Sequence, residues 1–142
     1  MPNSCHACES TVNATKTLSG RGIRLTELRK DVLQVLYHSK APVGAYDLYD
    51  TLNSKGKASA PPAVYRVLDF LVEQGLAHKL RSVSAYTACC IGPHAHHAAF
   101  LICRDCGQVE EIKGPSLSAI TKHGFQVEDL MFEATGLCGL CQ

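Results

Sequence analysis

Residues 61–89 read PPAVYRVLDFLVEQGLAHKLRSVSAYTAC, and the architecture of the first half of the chain follows from this stretch. Pro61 and Pro62 suit the opening turn of a helix, where the backbone amides have no intrahelical partner anyway. Val64, Val67, Leu68, Leu71 and Val72 recur at helical spacing and make a buried stripe, and Gly75 supplies the stop. Then LAHKLR and SAYTAC are short extended runs separated by Ser82-Val83, a hairpin signal. A two-residue turn at Ser82-Val83 sets His78 opposite Thr87, with Cys89 diagonal on the same face and Cys90 pointing away. A three-residue turn reverses those faces.

Upstream, RLTELRKDVLQVLYHS places Leu25, Leu28, Val32, Val35 and Leu36 on one helical face, with Thr26 as N-cap. Pro42 and Gly44 break that pattern, and AYDLYDTLNS starts a second helix carrying Tyr46, Leu48, Tyr49 and Leu52. Three helices and a hairpin, in this order, spell a winged helix-turn-helix. In that fold the third helix enters the major groove of duplex DNA with its N-terminal residues foremost, here Ala60, Ala63, Tyr65 and Arg66. Arg66 suits a guanine edge or a phosphate, and Tyr65 the backbone. Arg24, Arg29, Lys55, Lys57, Lys79 and Arg81 are phosphate contacts or plain solvated charges. The charge distribution agrees: residues 17–83 hold ten Lys/Arg against six Asp/Glu, and residues 84–142 hold three against six. Only the first half is suited to a polyanion.

Downstream the hydrophobic period changes. AAFLIC and QVEEI read as strands around a turn at Arg104–Gly107, residues 115–123 as a helix stopped by Gly124, and FQVEDLMFEATG as a third strand. Cys103-x-x-Cys106 recurs, after a 31-residue gap, as Cys138-x-x-Cys141. Two such knuckles supply the four-thiolate shell of a closed structural zinc site. Gly107, Gly136 and Gly139 offer the turn freedom the knuckles need. A redox CxxC is the competing reading, but two copies in a chain with no export signal favour metal. A looser constellation comprises His78, Cys89, Cys90, His94, His96, His97, Glu110, Glu111 and His123, dense enough to suggest a second metal site. His78 and Cys89 belong to the hairpin, whereas His96 and a glutamate of VEEI belong to the second half. One ion held by all four would fix one half against the other, as a sensor requires.

SAPPAVYRVLDFLVEQGLAHK, HAHHAAFLICRDCGQVEE and the closing GLCGLC resemble the recognition helix, metal loop and terminal knuckle of the ferric-uptake-regulator family. Within it, the cysteine at 89 and GAYDLYD are similar to the zinc-uptake branch, and the likeness covers Arg24 to Cys141. The resemblance implies an α+β chain: a winged helix-turn-helix DNA-binding domain, then a small α/β dimerisation domain with a four-cysteine zinc site. It implies a homodimer that represses zinc-uptake genes and binds palindromic, AT-rich operator DNA when loaded with zinc. Two zinc ions per chain are implied, a structural one at Cys103, Cys106, Cys138 and Cys141 and a regulatory one at His78, Cys89, His96 and Glu111. Cys90, His94 and His97 are possible substitutes in the second set. The family pattern adds Tyr46 as a base contact, beside Ala63, Tyr65 and Arg66. Some relatives carry a further site using a histidine where this chain has Leu130, so no third site is expected. Cys5-His6-Ala7-Cys8 lies outside the shared pattern.

The expected organisation is an arm over residues 1–16, the DNA-binding unit over 17–83, a hinge over 84–93 and the second unit over 94–142. No apolar run reaches the length of a membrane span and no signal-peptide plan opens the chain, so a cytoplasmic protein is expected. No enzymatic role is expected, because a four-cysteine shell leaves no open coordination position for a substrate. The competing functions are an iron- or peroxide-responsive regulator, a zinc-ribbon interaction module and a thiol redox protein.

Overall fold

A computed structural model of the chain describes residues 7–58, 60–90, 97–115, 118, 121, 124–128 and 130–142, with side chains from residue 12 onward. It divides into two compact units, Met1–His94 and Ala95–Gln142.

The first unit holds helices α1 (Ala7–Gly20), α2 (Glu27–His38), α3 (Ala45–Asn53) and α4 (Pro61–Glu73), then strands β1 (Ala77–Leu80) and β2 (Ala85–Ala88). Local signals set most of these ends. Thr26 caps α2, its side chain accepting from the Arg29 amide at 3.4 Å. Pro61 and Pro62 occupy the first turn of α4. The chain leaves α4 through Gly75, whose φ of 72° is cheap only for glycine. The turn after β1 is closed by the Ser84 amide donating to the Arg81 carbonyl, so Ser82 and Val83 are its central residues. The register is the one a two-residue turn predicts, His78 opposite Thr87.

The core of this unit is built from one face of each helix. Leu18, Leu33, Leu48, Leu52, Val64, Leu68 and Leu71 are fully or almost fully buried. Each such side chain contributes about 1.5–3 kcal/mol of transfer free energy. Truncating one, Leu68→Ala for instance, costs about 2–5 kcal/mol once the cavity is included. The Arg29 guanidinium carbon sits over the Phe70 ring, 3.5 Å from its centre, joining α2 to α4. The backbone of Val43 exchanges two hydrogen bonds with that of Tyr86, so the segment before α3 lies against the hairpin.

Among its described residues the second unit forms a three-stranded sheet of β3 (Ala98–Cys103), β4 (Val109–Lys113) and β5 (Met131–Gly136), in the order β4-β3-β5. β3 runs antiparallel to β4 and parallel to β5. Being central, it buries five of its six residues, with Phe100 almost fully enclosed. The ladder to β4 continues past the strand ends, the Gly114 amide donating to the His97 carbonyl at 2.9 Å. No described helix is long and apolar enough to cross a membrane.

Several expectations need correction. Residues 7–16, read as part of an arm, are the first turns of α1, which buries Ala14 and Leu18. The hinge expected over 84–93 takes in the whole of β2, and the division into units falls after His94. Val72 sits at the margin of the α4 stripe and is exposed. The third strand starts at Met131 rather than Phe125, and the helix expected over 115–123 falls largely outside the described residues.

Candidate metal centre and nucleic-acid face

In the second unit, the turn after β3 carries Cys103 and Cys106, and the segment after β5 carries Cys138 and Cys141. The Cys103↔Gly136 pairing of β3 with β5 brings the two knuckles together from distant parts of the sequence. The Arg104 amide donates to the Gly136 carbonyl at 2.9 Å and fixes that approach. Each knuckle is a closed turn: the Gly107 amide reaches the Cys103 carbonyl at 3.0 Å, and the Cys141 amide reaches the Cys138 carbonyl at 3.0 Å. Gly107 has φ 72° and needs glycine. Gly136 and Gly139, credited with the same role from sequence, have no positive φ.

The four sulfur atoms lie within 4.8 Å of one another, and those of Cys106 and Cys138 are 3.8 Å apart. A tetrahedron with Zn–S bonds of 2.3 Å has sulfurs about 3.8 Å apart, so the donor set fits zinc in both type and spacing. The electrostatics of the cluster agree. The backbone amides of Cys106 and Cys138 pull the Cys103 thiol from its ordinary 9.0 down to about 6, and the Cys138 amide donates to Cys103 Sγ at 3.4 Å. At Cys106 the Gln108 amide draws the thiol down, but the Cys103 thiol, burial and Cys138 outweigh it and the net shift is upward. Cys141 is pushed up, first by Cys138 and then by burial. Four clustered thiols cannot all ionise against one another, and a divalent cation removes that conflict.

In the first unit, His78 on β1 and Cys89 just beyond β2 present ligand atoms within 4.8 Å of each other. Cys89 is buried and its amide donates to the Leu76 carbonyl at 2.9 Å, which holds it in line with the hairpin. Cys90 is exposed. In the second unit Glu111 lies on β4 opposite Phe100, and His97 precedes β3; both are half-buried. His94, His96 and His123 lie outside the described residues, as do Cys5, His6 and the side chain of Cys8.

The expected DNA-reading residues gather on the exposed side of α3 and α4. Tyr46 is 64% exposed and Tyr65 is 39% exposed, and their rings meet edge to face. Arg66 is exposed beside Tyr65, and Ala63 is half-buried. The expected phosphate contacts divide. Arg29, besides covering Phe70, donates from Nη1 to the Arg24 carbonyl at 3.0 Å. Lys57 Nζ is paired with Asp31 Oδ1 at 2.6 Å, and Lys79 lies 5.8 Å from the Tyr86 ring centre. Phe70 and Asp31, the partners of Arg29 and Lys57, come from elements distant in the chain, whereas Lys79 faces Tyr86 through the hairpin register itself.

The family model described as "Ferric uptake regulator family" matches residues 20–135. The zinc uptake regulation protein of Escherichia coli (strain K12) is 37% identical, over 94% of this chain and 81% of its own length. The protein of the same description from Mycobacterium tuberculosis (strain ATCC 25618 / H37Rv) is 30% identical, over 88% of this chain and 99% of its own. Among solved structures, a zinc uptake regulator complexed with zinc and DNA superposes with TM-score 0.86 at 37% identity, covering 95% of this chain and 94% of that one.

Proposed function

The chain belongs to the ferric uptake regulator family, and on that premise we propose that it is a zinc-responsive transcriptional repressor that binds operator DNA. The observation that carries this reading is the likeness, across 95% of the chain, to a zinc uptake regulator in complex with zinc and DNA. The protein is a regulator rather than an enzyme, and its place of work is the cytoplasm.

The reading assigns two zinc ions to each chain. Cys103, Cys106, Cys138 and Cys141 take the structural ion, supported by the mutual spacing of their sulfurs. His78, Cys89, His96 and Glu111 take the regulatory ion. The support for the first pair is their mutual approach on the hairpin, and the presence of a thiol, which suits zinc better than an all-nitrogen-and-oxygen shell. An ion that needs donors from both units favours one arrangement of the reading heads over many. Moving such an equilibrium from rare to dominant takes about 5 kcal/mol of differential binding, within reach of a four-ligand zinc site.

The operator is a palindromic, AT-rich duplex read by a homodimer, with Tyr46, Ala63, Tyr65 and Arg66 on the bases and nearby backbone. A modest surplus of cations gives each copy few phosphate contacts, so two half-sites are needed for useful affinity. The second unit offers a surface for the partner copy: Leu101 and Ile112 are exposed on neighbouring strands and share one face of the sheet.

The test starts from protein holding only its structural zinc. Adding zinc is expected to raise affinity for an AT-rich palindromic duplex sharply, and a chelator of moderate strength to reverse it. Equal binding before and after zinc addition overturns the reading. Activation by ferrous iron but not zinc transfers the protein to the iron-responsive branch.

A further inference from the structure

We propose that Asp31 is an internal counter-ion that withholds Lys57 from DNA phosphates and so restrains sequence-independent binding. The inference rests on the DNA-binding reading above and concerns a residue that touches no DNA itself.

Lys57, one of the cations that the DNA-binding reading offers to phosphate, lies in the turn between α3 and α4, four residues before Pro61 opens α4. Gly56, at φ 67°, lies in the turn that follows α3, and the amide of Lys57 donates to the Leu52 carbonyl at 2.9 Å, the wrapped pattern of a Schellman cap. Ala58, the next residue, is buried in the core. From this pinned backbone the side chain runs to α2, where Nζ meets Asp31 Oδ1 at 2.6 Å. The Asp31 side chain is 18% exposed and the Lys57 side chain 44%, so the carboxylate is the more enclosed partner. Pre-ordering of the turn removes much of the entropy cost that makes exposed ion pairs weak.

The consequence lies in counterion release. A free lysine at this place neutralises one phosphate and steepens the fall of log affinity with log salt by about 0.9. Paired with Asp31, it contributes no net charge there. Such a contact is blind to sequence and strengthens binding to all DNA alike, so withholding it leaves a larger share of the affinity to the base-reading residues.

The experiment measures zinc-loaded protein on a duplex lacking any palindrome, across a salt series. Asp31→Asn is expected to raise affinity at low salt and to steepen the salt slope by about 0.9 per chain. Asp31→Asn combined with Lys57→Met is expected to return the slope to the wild-type value. Glu73→Gln removes the same charge at the far end of α4 and is expected to leave the slope unchanged, separating a local effect from a change in overall charge. The proposal is overturned if Asp31→Asn leaves the slope unaltered, or if Lys57→Met alone flattens it, since the lysine would then be gripping phosphate already. Wild-type protein that binds no duplex in saturating zinc overturns the functional reading, and this inference with it.

Discussion

The rings of Tyr46, on α3, and Tyr65, on α4, meet edge to face with centroids 6.2 Å apart and planes at 82°. Edge-to-face pairs of this kind contribute about 0.5–1.5 kcal/mol beyond area burial. Tyr46 is mostly open to solvent and Tyr65 partly so, and neither belongs to the buried core. The pair holds a broad aromatic surface ready beside Arg66.

Because each ring steadies the other, Tyr46→Ala and Tyr65→Ala should not act independently on operator affinity. A double-mutant cycle on zinc-loaded protein is expected to show a coupling energy of about 0.5–1.5 kcal/mol. Strict additivity would mean that the rings bind DNA, if at all, as separate contacts.

Thr26→Ala removes the side chain that satisfies the Arg29 amide at the start of α2. Loss of an N-cap costs about 0.5–2 kcal/mol. Chemical denaturation of the first unit should show this as a lower midpoint with an unchanged slope. Thr26→Ser should recover most of the loss.

Ser84 adopts φ 49° at the end of the hairpin turn, a left-handed conformation that glycine reaches more cheaply. Ser84→Gly is expected to stabilise the hairpin slightly, by about 1 kcal/mol or less. Thermal unfolding is the readout, and a fall in the midpoint would contradict it. Gly114→Ala should do the opposite in the second unit, because a Cβ there would collide with the His97 carbonyl.

Cys138→Ser removes one of the four clustered thiols, and the variant is expected to lose tightly held zinc and the order of its second unit. Zinc content per chain and the far-ultraviolet spectrum check this together. In the intact protein, zinc release should advance as pH falls, because protons and metal compete for the same sulfurs.

What could be read from sequence was what local chemistry dictates. Thr26 as a cap, the prolines opening α4, and the His78–Thr87 register all follow from a few adjacent residues. The two knuckles were equally legible, because CxxC spacing allows few other uses. The start of α1 was not: among its described side chains only Ala14 and Leu18 are buried, too thin a stripe to stand out from a polar segment. FQVEDL alternates like a strand, yet pairing begins only at Met131, where β3 offers a partner. The Arg29–Phe70 and Asp31–Lys57 contacts depend on how α2 meets α4 and the turn before it, which no short window encodes.

The parallel pairing of β3 with β5 sets the two units apart in time. A hairpin closed by Ser82 and Val83 and short helices in sequence demand little loop closure. β5, however, cannot join β3 until the whole span from Arg104 to Leu130 has been looped back. Refolding from denaturant should therefore be biphasic, the reading head forming early and the sheet late, with zinc accelerating the slow phase or trapping its product. A newly made chain would then pass through an interval in which it has a finished hand but no wrist.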